Sequence, residues 1–204
     1  MADIEEPGRR ARKRAHMRDL LVGTAARLFE AQGYEVVTME QIAAEADVAK
    51  RTLYNHFPTK DAILARWLDR QLEHDLSHLQ TGIARRRSFA SRAACILDAS
   101  AAWCSAHPEH LMAYLRYRFT CLGEASGQDD IEDGGIVALW ERLILAAQEA
   151  GELDASRDPA QLATWFHHLY LAALLRWLTV PGLSLRREFA DATRLFIGGA
   201  EARR

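Results

Sequence analysis

The sequence predicts an all-α fold, and three observations carry that prediction. Apolar residues recur with the 3.6-residue period of an amphipathic helix along most of the 204 residues. Helix-favouring Ala, Leu, Arg and Glu are abundant, whereas Gly and Pro number only 12 and 5. No segment of useful length alternates apolar and polar residues in the way that a strand requires.

Composition and cysteine usage exclude several classes of protein. No apolar run reaches the roughly 18 residues that a membrane span needs, and the charged N-terminus does not resemble a secretory signal. Cys95, Cys104 and Cys121 are odd in number and far apart, which favours reduced thiols over a disulfide framework. We therefore expect a cytoplasmic protein that makes no contact with a membrane.

Basic residues are concentrated near the N-terminus. Six of the 26 Lys and Arg residues lie between Arg9 and Arg18, although the chain as a whole has a net charge of −2. Residues 1–13 are polar and contain Pro7-Gly8, so we expect a disordered basic arm there. Such an arm on a mildly acidic body favours attraction to a local anionic partner.

Residues 14–57 predict three helices joined by tight turns. An apolar face begins near Arg14, and Gly33 supplies the C-terminal stop of the first helix. Thr38 followed by Gln41 is the capping-box pattern that begins a second, shorter helix.

A third short helix is predicted over residues 50–56. Phe57-Pro58 ends it, because proline disfavours helical conformation in the preceding residue. Thr59 then caps a long fourth helix, predicted to end near Gln80. The second and third helices together have the pattern of a helix–turn–helix.

Five further helices are predicted after residue 80. Pro108 and Asp158-Pro159 are start signals, whereas Gly151 and Pro181-Gly182 are stop signals. We expect an acidic loop over residues 123–135.

The third helix carries the groups that could bind DNA. Its N-terminal end would enter the major groove, where Arg51 can bond a guanine through two N–H groups. Lys50 can donate to a guanine or a phosphate. One turn later, Tyr54, Asn55 and His56 can reach phosphates or a thymine methyl group.

Two helix starts could bind phosphate. Lys60 is predicted in the first turn of the fourth helix, where a cation opposes the helix dipole by about 0.3–1 kcal/mol. A phosphate bound there would remove that penalty, because free N–H groups and the ammonium would hold the same anion. Thr38 occupies a similar position and could do the same, while residues 9–14 add attraction that salt weakens.

This ordered set of residues resembles the tetracycline-repressor (TetR) family of bacterial one-component regulators. The matching positions, within about a quarter of the chain, are Thr38, Ile42, Ala43, Ala46, Val48, Thr52, Leu53, Tyr54, His56, Phe57, Lys60, Ile63 and Leu64. The resemblance implies an N-terminal helix–turn–helix DNA-binding domain over residues 14–60 and a C-terminal helical domain for ligand sensing and dimerisation over residues 61–204. It implies DNA contacts at Thr38, Lys50, Arg51, Thr52, Tyr54, Asn55, His56 and Lys60.

Two positions depart from the family pattern. Asp47 stands where the family usually has glycine, and we expect a left-handed residue there, which costs Asp roughly 1 kcal/mol. Ala49 stands where the family usually has Ser or Thr, and alanine forgoes a helix cap worth about 0.5–2 kcal/mol. Neither departure removes a group that faces DNA.

The same resemblance implies a repressor that leaves a palindromic double-stranded operator when a small molecule binds its C-terminal domain. Large aromatic residues suit an apolar or aromatic effector. We expect the pocket walls to include Trp67, Leu68, Trp103, Met112, Tyr117, Phe119, Trp140, Phe166 and Tyr170. No cofactor or metal is expected, and the protein would be associated with the bacterial nucleoid when bound to DNA.

The last two predicted helices would form the homodimer interface as a four-helix bundle. Apolar residues recur in each at spacings of three and four. The predicted seam residues are Leu162, Phe166, Leu169, Ala173, Leu185, Phe189, Ala192, Phe196 and Gly199.

Three other classes of function compete with a DNA-binding regulator. His74 and His78 have a usable metal-ligand spacing, and Cys95 or Cys104 could sense oxidants, so a metal- or thiol-responsive regulator is the alternative. An enzyme is not expected, because the sequence contains no Gly-x-Ser-x-Gly, no Gly-x-Gly-x-x-Gly and no phosphate-binding loop.

Overall fold

The computed structural model describes residues 7–120 and 136–200, except the side chains at positions 7, 73 and 76. Within that part of the chain the fold is all-α, as predicted. Its helices are α1 (Pro7–Gln32), α2 (Met39–Glu45), α3 (Lys50–His56), α4 (Lys60–Ala84), α5 (Phe89–Ala106), α6 (Pro108–Thr120), α7 (Ile136–Glu149), α8 (Pro159–Thr179) and α9 (Leu185–Ala200). The predicted acidic loop and Cys121 lie outside the described residues.

Capping side chains begin the helices where the sequence predicted. Thr38 accepts a hydrogen bond from the Gln41 backbone N–H, and the Gln41 side chain accepts one from the Thr38 backbone N–H. Thr59 accepts from the backbone N–H of Ala62 at the start of α4. Asp158 caps α8, with Pro159 in the first turn. These bonds satisfy backbone N–H groups that have no partner inside the helix.

The predicted disordered arm is wrong in its C-terminal half. Helix α1 begins at Pro7, about seven residues before the predicted start, and residues 9–16 are exposed on it. Arg, Lys and Ala all favour helix, and proline is tolerated in the first turn. Arg12 Nε also donates to the Gly8 carbonyl one turn back, at 3.1 Å. The basic residues therefore lie on a rigid extension of α1.

The first three helices enclose a small core of their own. Leu21, Ala25 and Phe29 of α1 are buried against Ile42 of α2 and Leu53 of α3. Burying each large apolar side chain contributes roughly 1.5–3 kcal/mol. This core fixes the angle at which α3 lies on the domain.

Helix α4 connects that core to the C-terminal helices. It packs against α1 on one side and against α5 and α6 on the other, while α8 lies between α7 and α9. The core between α5, α7, α8 and α9 contains an aromatic cluster of Phe89, Trp140, Phe166 and Phe196. No helix in residues 7–120 or 136–200 combines the length and apolar character needed to cross a membrane.

Most of the predicted dimer-seam residues instead form the protomer's own core. Leu162, Phe166 and Ala173 of α8, and Leu185, Phe189 and Phe196 of α9, are buried within one chain. Leu169 and Ala192 are half-buried, and Gly199 is exposed. The prediction was wrong for the buried residues because the strongest apolar stripe of each helix faces the core of its own chain.

The turn between α2 and α3 confirms the expected backbone at Asp47. Its φ of 53° is the only positive value among the non-glycine residues described. Ala49 is the N-cap of α3 and has extended backbone angles, but no side-chain hydrogen bond caps that helix. The backbone of Ala49 therefore already has the conformation of an N-cap, and only a side-chain hydrogen-bond acceptor is missing.

We predict that Ala49→Ser raises the melting temperature, because a serine hydroxyl can accept a hydrogen bond from the first turn of α3. A gain of about 1 kcal/mol would raise the midpoint by roughly 2–4 °C in a protein of this size. Thermal unfolding followed by circular dichroism measures it.

Ala94→Ser is the matched control, because Ala94 is exposed inside α5. Serine in a helix interior is less favourable than alanine, so the control should not gain stability. Equal shifts in both variants would contradict the capping argument.

Candidate nucleic-acid interface

The outward face of α3 is exposed to solvent in the part of the chain that the structure describes. Lys50, Arg51, Tyr54 and Asn55 are exposed, and Tyr54 keeps 46% of its surface accessible, which is unusual for a large aromatic side chain. Leu53 is fully buried on the opposite face. The helix therefore presents two cations, a phenol and an amide to solvent, while its apolar side holds it to the domain.

The two cations of α3 differ in their surroundings. Lys50 Nζ lies 3.3 Å from a Glu40 carboxylate oxygen of α2, in an exposed ion pair. The pKa of Glu40 is lowered, first by a hydrogen bond from its own backbone N–H and then by Lys50. Arg51 has no hydrogen bond or ion pair within the described residues. Arg51 is thus the cation of α3 that is available without breaking another contact.

Thr52 and His56 lie at the edges of this face. Both are half-buried, so each could offer only part of its surface to DNA. Thr38 is exposed at the start of α2, but its hydroxyl already takes part in the capping box with Gln41. The predicted DNA-contact residues, apart from Lys60, are thus spread along α3 and the start of α2.

Lys60 is the exception, and its predicted phosphate contact is not supported. Its Nζ donates to the carbonyl oxygens of Tyr34, Glu35 and Val37 at 2.7, 3.2 and 2.9 Å. It also lies 4.2 Å from the centre of the Tyr34 ring. An ammonium has three N–H donors, and here all three are used inside the protein. Lys60 therefore anchors the α1–α2 loop to the start of α4.

Asp61, the next residue, joins the same loop to α6. One carboxylate oxygen accepts a hydrogen bond from the Tyr34 hydroxyl, and the other accepts from Arg116 Nε at 2.9 Å. Burial, and then the hydrogen bond to Asp61, raise the pKa of Tyr34, so its hydroxyl stays protonated as a donor. As an acidic residue in the first turn, Asp61 also interacts favourably with the helix dipole of α4.

The basic extension of α1 approaches the end of α3. The guanidinium carbon of Arg18 lies 5.1 Å from the centre of the Phe57 ring, directly after α3. The exposed Arg9, Arg10 and Arg12 lie N-terminal to it on the same helix. Positive charge is therefore held near the C-terminal end of α3.

A cavity opens between α4, α5 and α6 in the C-terminal part of the chain. Its enclosed volume is about 50 Å³, and the value rises to about 550 Å³ when the open space at its mouth is counted. The apolar part of its wall is formed by Leu68, Leu72 and Leu79 of α4, Ile96, Ala99 and Trp103 of α5, and Leu111 of α6. Its apolar lining is typical of small-molecule sites, whereas its enclosed volume is smaller, so a bound molecule would have to push the helices apart.

Polar groups line the same cavity at two places. Ser100 and Tyr170 hydroxyl oxygens are 3.0 Å apart, and Cys104 lies beside them. Asp69, Gln71, Asp75 and Tyr114 complete the lining.

Comparisons with known proteins agree on one family. Residues 21–66 match the family model "Bacterial regulatory proteins, tetR family". The transcriptional regulator TcmR of Streptomyces glaucescens is 47% identical over 57 residues, which is 28% of this chain and 25% of TcmR. The repressor KstR of Mycolicibacterium smegmatis is 27% identical over 172 residues, covering 83% of this chain and 81% of KstR.

This chain is therefore similar to TetR-family regulators. A TetR-family repressor of known structure, FadR of Thermus thermophilus in complex with lauroyl-CoA, has the same fold. It superposes with a TM-score of 0.72 at 22% identity, over 92% of this chain and 96% of FadR.

Only three of the residues predicted to line a ligand pocket line the cavity: Leu68, Trp103 and Tyr170. Trp67 packs against Phe29, Trp103 and His110. Trp140 and Phe166 belong to the aromatic core cluster, with ring centres 4.8 Å apart.

The remaining wall predictions, Met112, Tyr117 and Phe119, lie on α6 away from the cavity lining. Met112 and Phe119 are exposed, and Tyr117 is half-buried. The prediction selected bulky aromatic residues, whereas α4 and α5 contribute mainly leucine, alanine and short polar side chains. The missed residues recur at helical spacing along α4 and α5, which was visible in the sequence.

The metal-responsive alternative gains no support from the structure. His74 and His78 are exposed with their Nε2 atoms 3.2 Å apart. Within residues 7–120 and 136–200, however, no group of three or more His, Cys, Asp or Glu residues could hold an ion.

The thiol-responsive alternative is likewise unsupported. Burial raises the pKa of Cys104 to about 11, so its thiol stays protonated and unreactive near neutral pH. Cys95 is half-buried, and Arg92, three residues before it in the chain, donates a hydrogen bond to the Arg86 carbonyl at 3.0 Å.

We predict that Lys60→Met lowers the free energy of unfolding by about 1–3 kcal/mol, because three carbonyls lose a charged donor. Urea unfolding followed by circular dichroism measures the loss.

Lys50→Met is the matched control, since it removes an ammonium whose ion pair with Glu40 is exposed. Exposed pairs contribute at most about 1 kcal/mol. A loss in Lys60→Met no larger than that in Lys50→Met would show that the carbonyl contacts do not stabilise the domain.

Proposed function

We propose that this protein is a TetR-family transcriptional repressor that binds an operator through α3 and is released when a small molecule occupies its C-terminal cavity. One observation carries the proposal: α3 keeps its polar, basic face exposed while its apolar face is fully buried. A helix of that kind next to a positively charged segment suits the major groove of a duplex. The relatives named above as repressors support the direction of regulation.

In this proposal residues 14–60 bind DNA and residues 61–204 sense the effector and dimerise. Arg51 contacts a base, and Lys50 contacts a base or phosphate after leaving Glu40. Tyr54 and Asn55 reach the backbone, with Thr38, Thr52 and His56 at the edge. Arg9, Arg10 and Arg12 on the extension of α1 add attraction that does not depend on sequence. Lys60 supports this surface from inside the protein.

We propose that the homodimer forms through the outward faces of α8 and α9. Trp165 and Leu175 of α8 are 48% and 39% exposed, and Leu195 of α9 is 68% exposed. Gly198 and Gly199 lie near Leu195 and are also exposed, which would allow a close approach of another helix. A two-fold axis through this surface would place two copies of α3 on the half-sites of a palindrome.

Release would follow from the position of α4, which takes part in both sites. Its first residues hold the α1–α2 loop and α6, and its middle residues line the cavity. A row of rings joins the two regions: Phe29 lies 6.4 Å from Trp67, which lies 6.5 Å from Trp103. A molecule that separates α4 from α5 would therefore shift the DNA-binding domain, and half-sites about 34–36 Å apart tolerate little displacement.

This function places the protein in the bacterial cytoplasm, at the nucleoid when DNA-bound. Its targets would be found by selecting genomic fragments that the purified protein retains.

Using a selected fragment, we predict that Arg51→Ala weakens specific binding by about 1–3 kcal/mol and relaxes preference at one base position. Affinity for unrelated DNA should fall much less. Titration of labelled fragments followed by fluorescence anisotropy measures both affinities.

Arg142→Ala is the control, because Arg142 is exposed on α7, away from α3. Equal losses in the two variants, or an unchanged base preference in Arg51→Ala, would argue against α3 as the base-contacting helix.

We also predict that Leu195→Asp converts the dimer to a monomer, because a carboxylate would be buried without a partner at the interface. Sedimentation velocity measures the mass. Val36→Asp is the control, since Val36 is 61% exposed in the α1–α2 loop. A dimer that survives Leu195→Asp would rule out this face.

A further inference from the structure

The charge on the cavity wall is negative. Its charged side chains are Asp69 and Asp75, and no Lys, Arg or His belongs to the lining. Arg118 Nη2 donates to Asp69 at 3.0 Å in a largely buried ion pair, so that charge is already compensated. Asp75 accepts a hydrogen bond from Gln71 Nε2 at 3.1 Å and has no cation partner within the described residues. Asp75 is therefore the uncompensated charge of this site.

The other polar groups in the cavity are neutral. Burial raises the pKa of Tyr170 well above its usual value and that of Cys104 to about 11, so both stay protonated. Ser100 and Tyr170 can hydrogen-bond a ligand, but they offer no positive charge. A carboxylate or phosphate entering this space would lose its hydration without gaining a cation, which is strongly unfavourable.

We propose that the cavity binds an apolar or aromatic amine whose ammonium group pairs with Asp75, and that it discriminates against anions. The walls of α4 and α5 would bury the apolar body. Trp103, also in the wall, presents an indole that attracts cations. This inference rests on the proposed function only in treating the cavity as the effector site. The proposed ligand differs in charge from the ligand in the FadR structure, because lauroyl-CoA is an anion.

Three probes of nearly equal shape test the head-group preference directly. They are 1-naphthylmethylamine, 1-naphthalenemethanol and 1-naphthoic acid, which are cationic, neutral and anionic at pH 7. Isothermal titration calorimetry with the full-length protein measures their affinities. The amine should bind most tightly and the acid most weakly. The proposal is overturned if the acid matches or exceeds the amine, or if the amine does not bind at millimolar concentration.

Asp75→Asn removes the charge while keeping the shape of the side chain. It should weaken amine binding about 10-fold, as expected for a lost charge-assisted hydrogen bond, and leave the alcohol unaffected. Glu149→Gln is the matched control, because Glu149 is exposed at the end of α7 and does not line the cavity. Retention of the full amine preference in Asp75→Asn would show that Asp75 is not the partner.

The same probes separate this proposal from the regulatory one. Operator affinity is measured with saturating amine for the wild-type protein and Asp75→Asn. Amine preference without any change in operator affinity would support the site and contradict ligand-controlled release. Release of the operator by the acid as effectively as by the amine would overturn the charge selectivity while supporting the regulatory function.

Discussion

The ammonium of Lys60 and the three carbonyls around it form the contact on which the DNA-binding domain depends. The carbonyls of Tyr34, Glu35 and Val37 belong to the loop that leads into α2, and Lys60 begins α4. This loop has few backbone partners of its own, so a charged donor inside it stabilises its shape. Helix α2 follows this loop and supports α3, so the anchor determines where the exposed face of α3 lies.

Asp61 extends this anchor to α6, one of the helices that line the cavity. It accepts hydrogen bonds from Tyr34 in the loop and from Arg116 on α6, and α6 also contributes Leu111 and Tyr114 to the cavity. The cavity wall and the DNA-binding domain therefore meet at two consecutive residues of α4. Because α4 is a single helix of 25 residues, a small separation of α4 from its neighbours at the cavity can be transmitted to the DNA-binding domain.

Local signals in the sequence predicted what depends on local geometry. The caps at Thr38, Thr59 and Asp158 were predicted because each follows from a few neighbouring residues. The left-handed Asp47 was predicted from the glycine that the TetR family usually has at that position. Lys60 was assigned to DNA because its loop partners lie 23–26 positions away, and only tertiary folding brings them together. The prediction of the dimer interface selected the strongest apolar stripe of α8 and of α9. Those stripes are buried in the core of a single chain. Likewise, the cavity is lined by residues that come together where α4 packs against α5. The size of individual side chains does not predict which residues those are.

The salt dependence of operator binding tests most directly whether Lys60 is an internal anchor. Affinities of the wild-type protein and Lys60→Met would be measured across a range of salt concentrations, at a temperature where both are fully folded. If the ammonium is held by carbonyls, the two plots of log affinity against log salt concentration will have the same slope. A slope shallower by about 0.9 in Lys60→Met would mean that Lys60 neutralises a phosphate, and the anchor would be wrong.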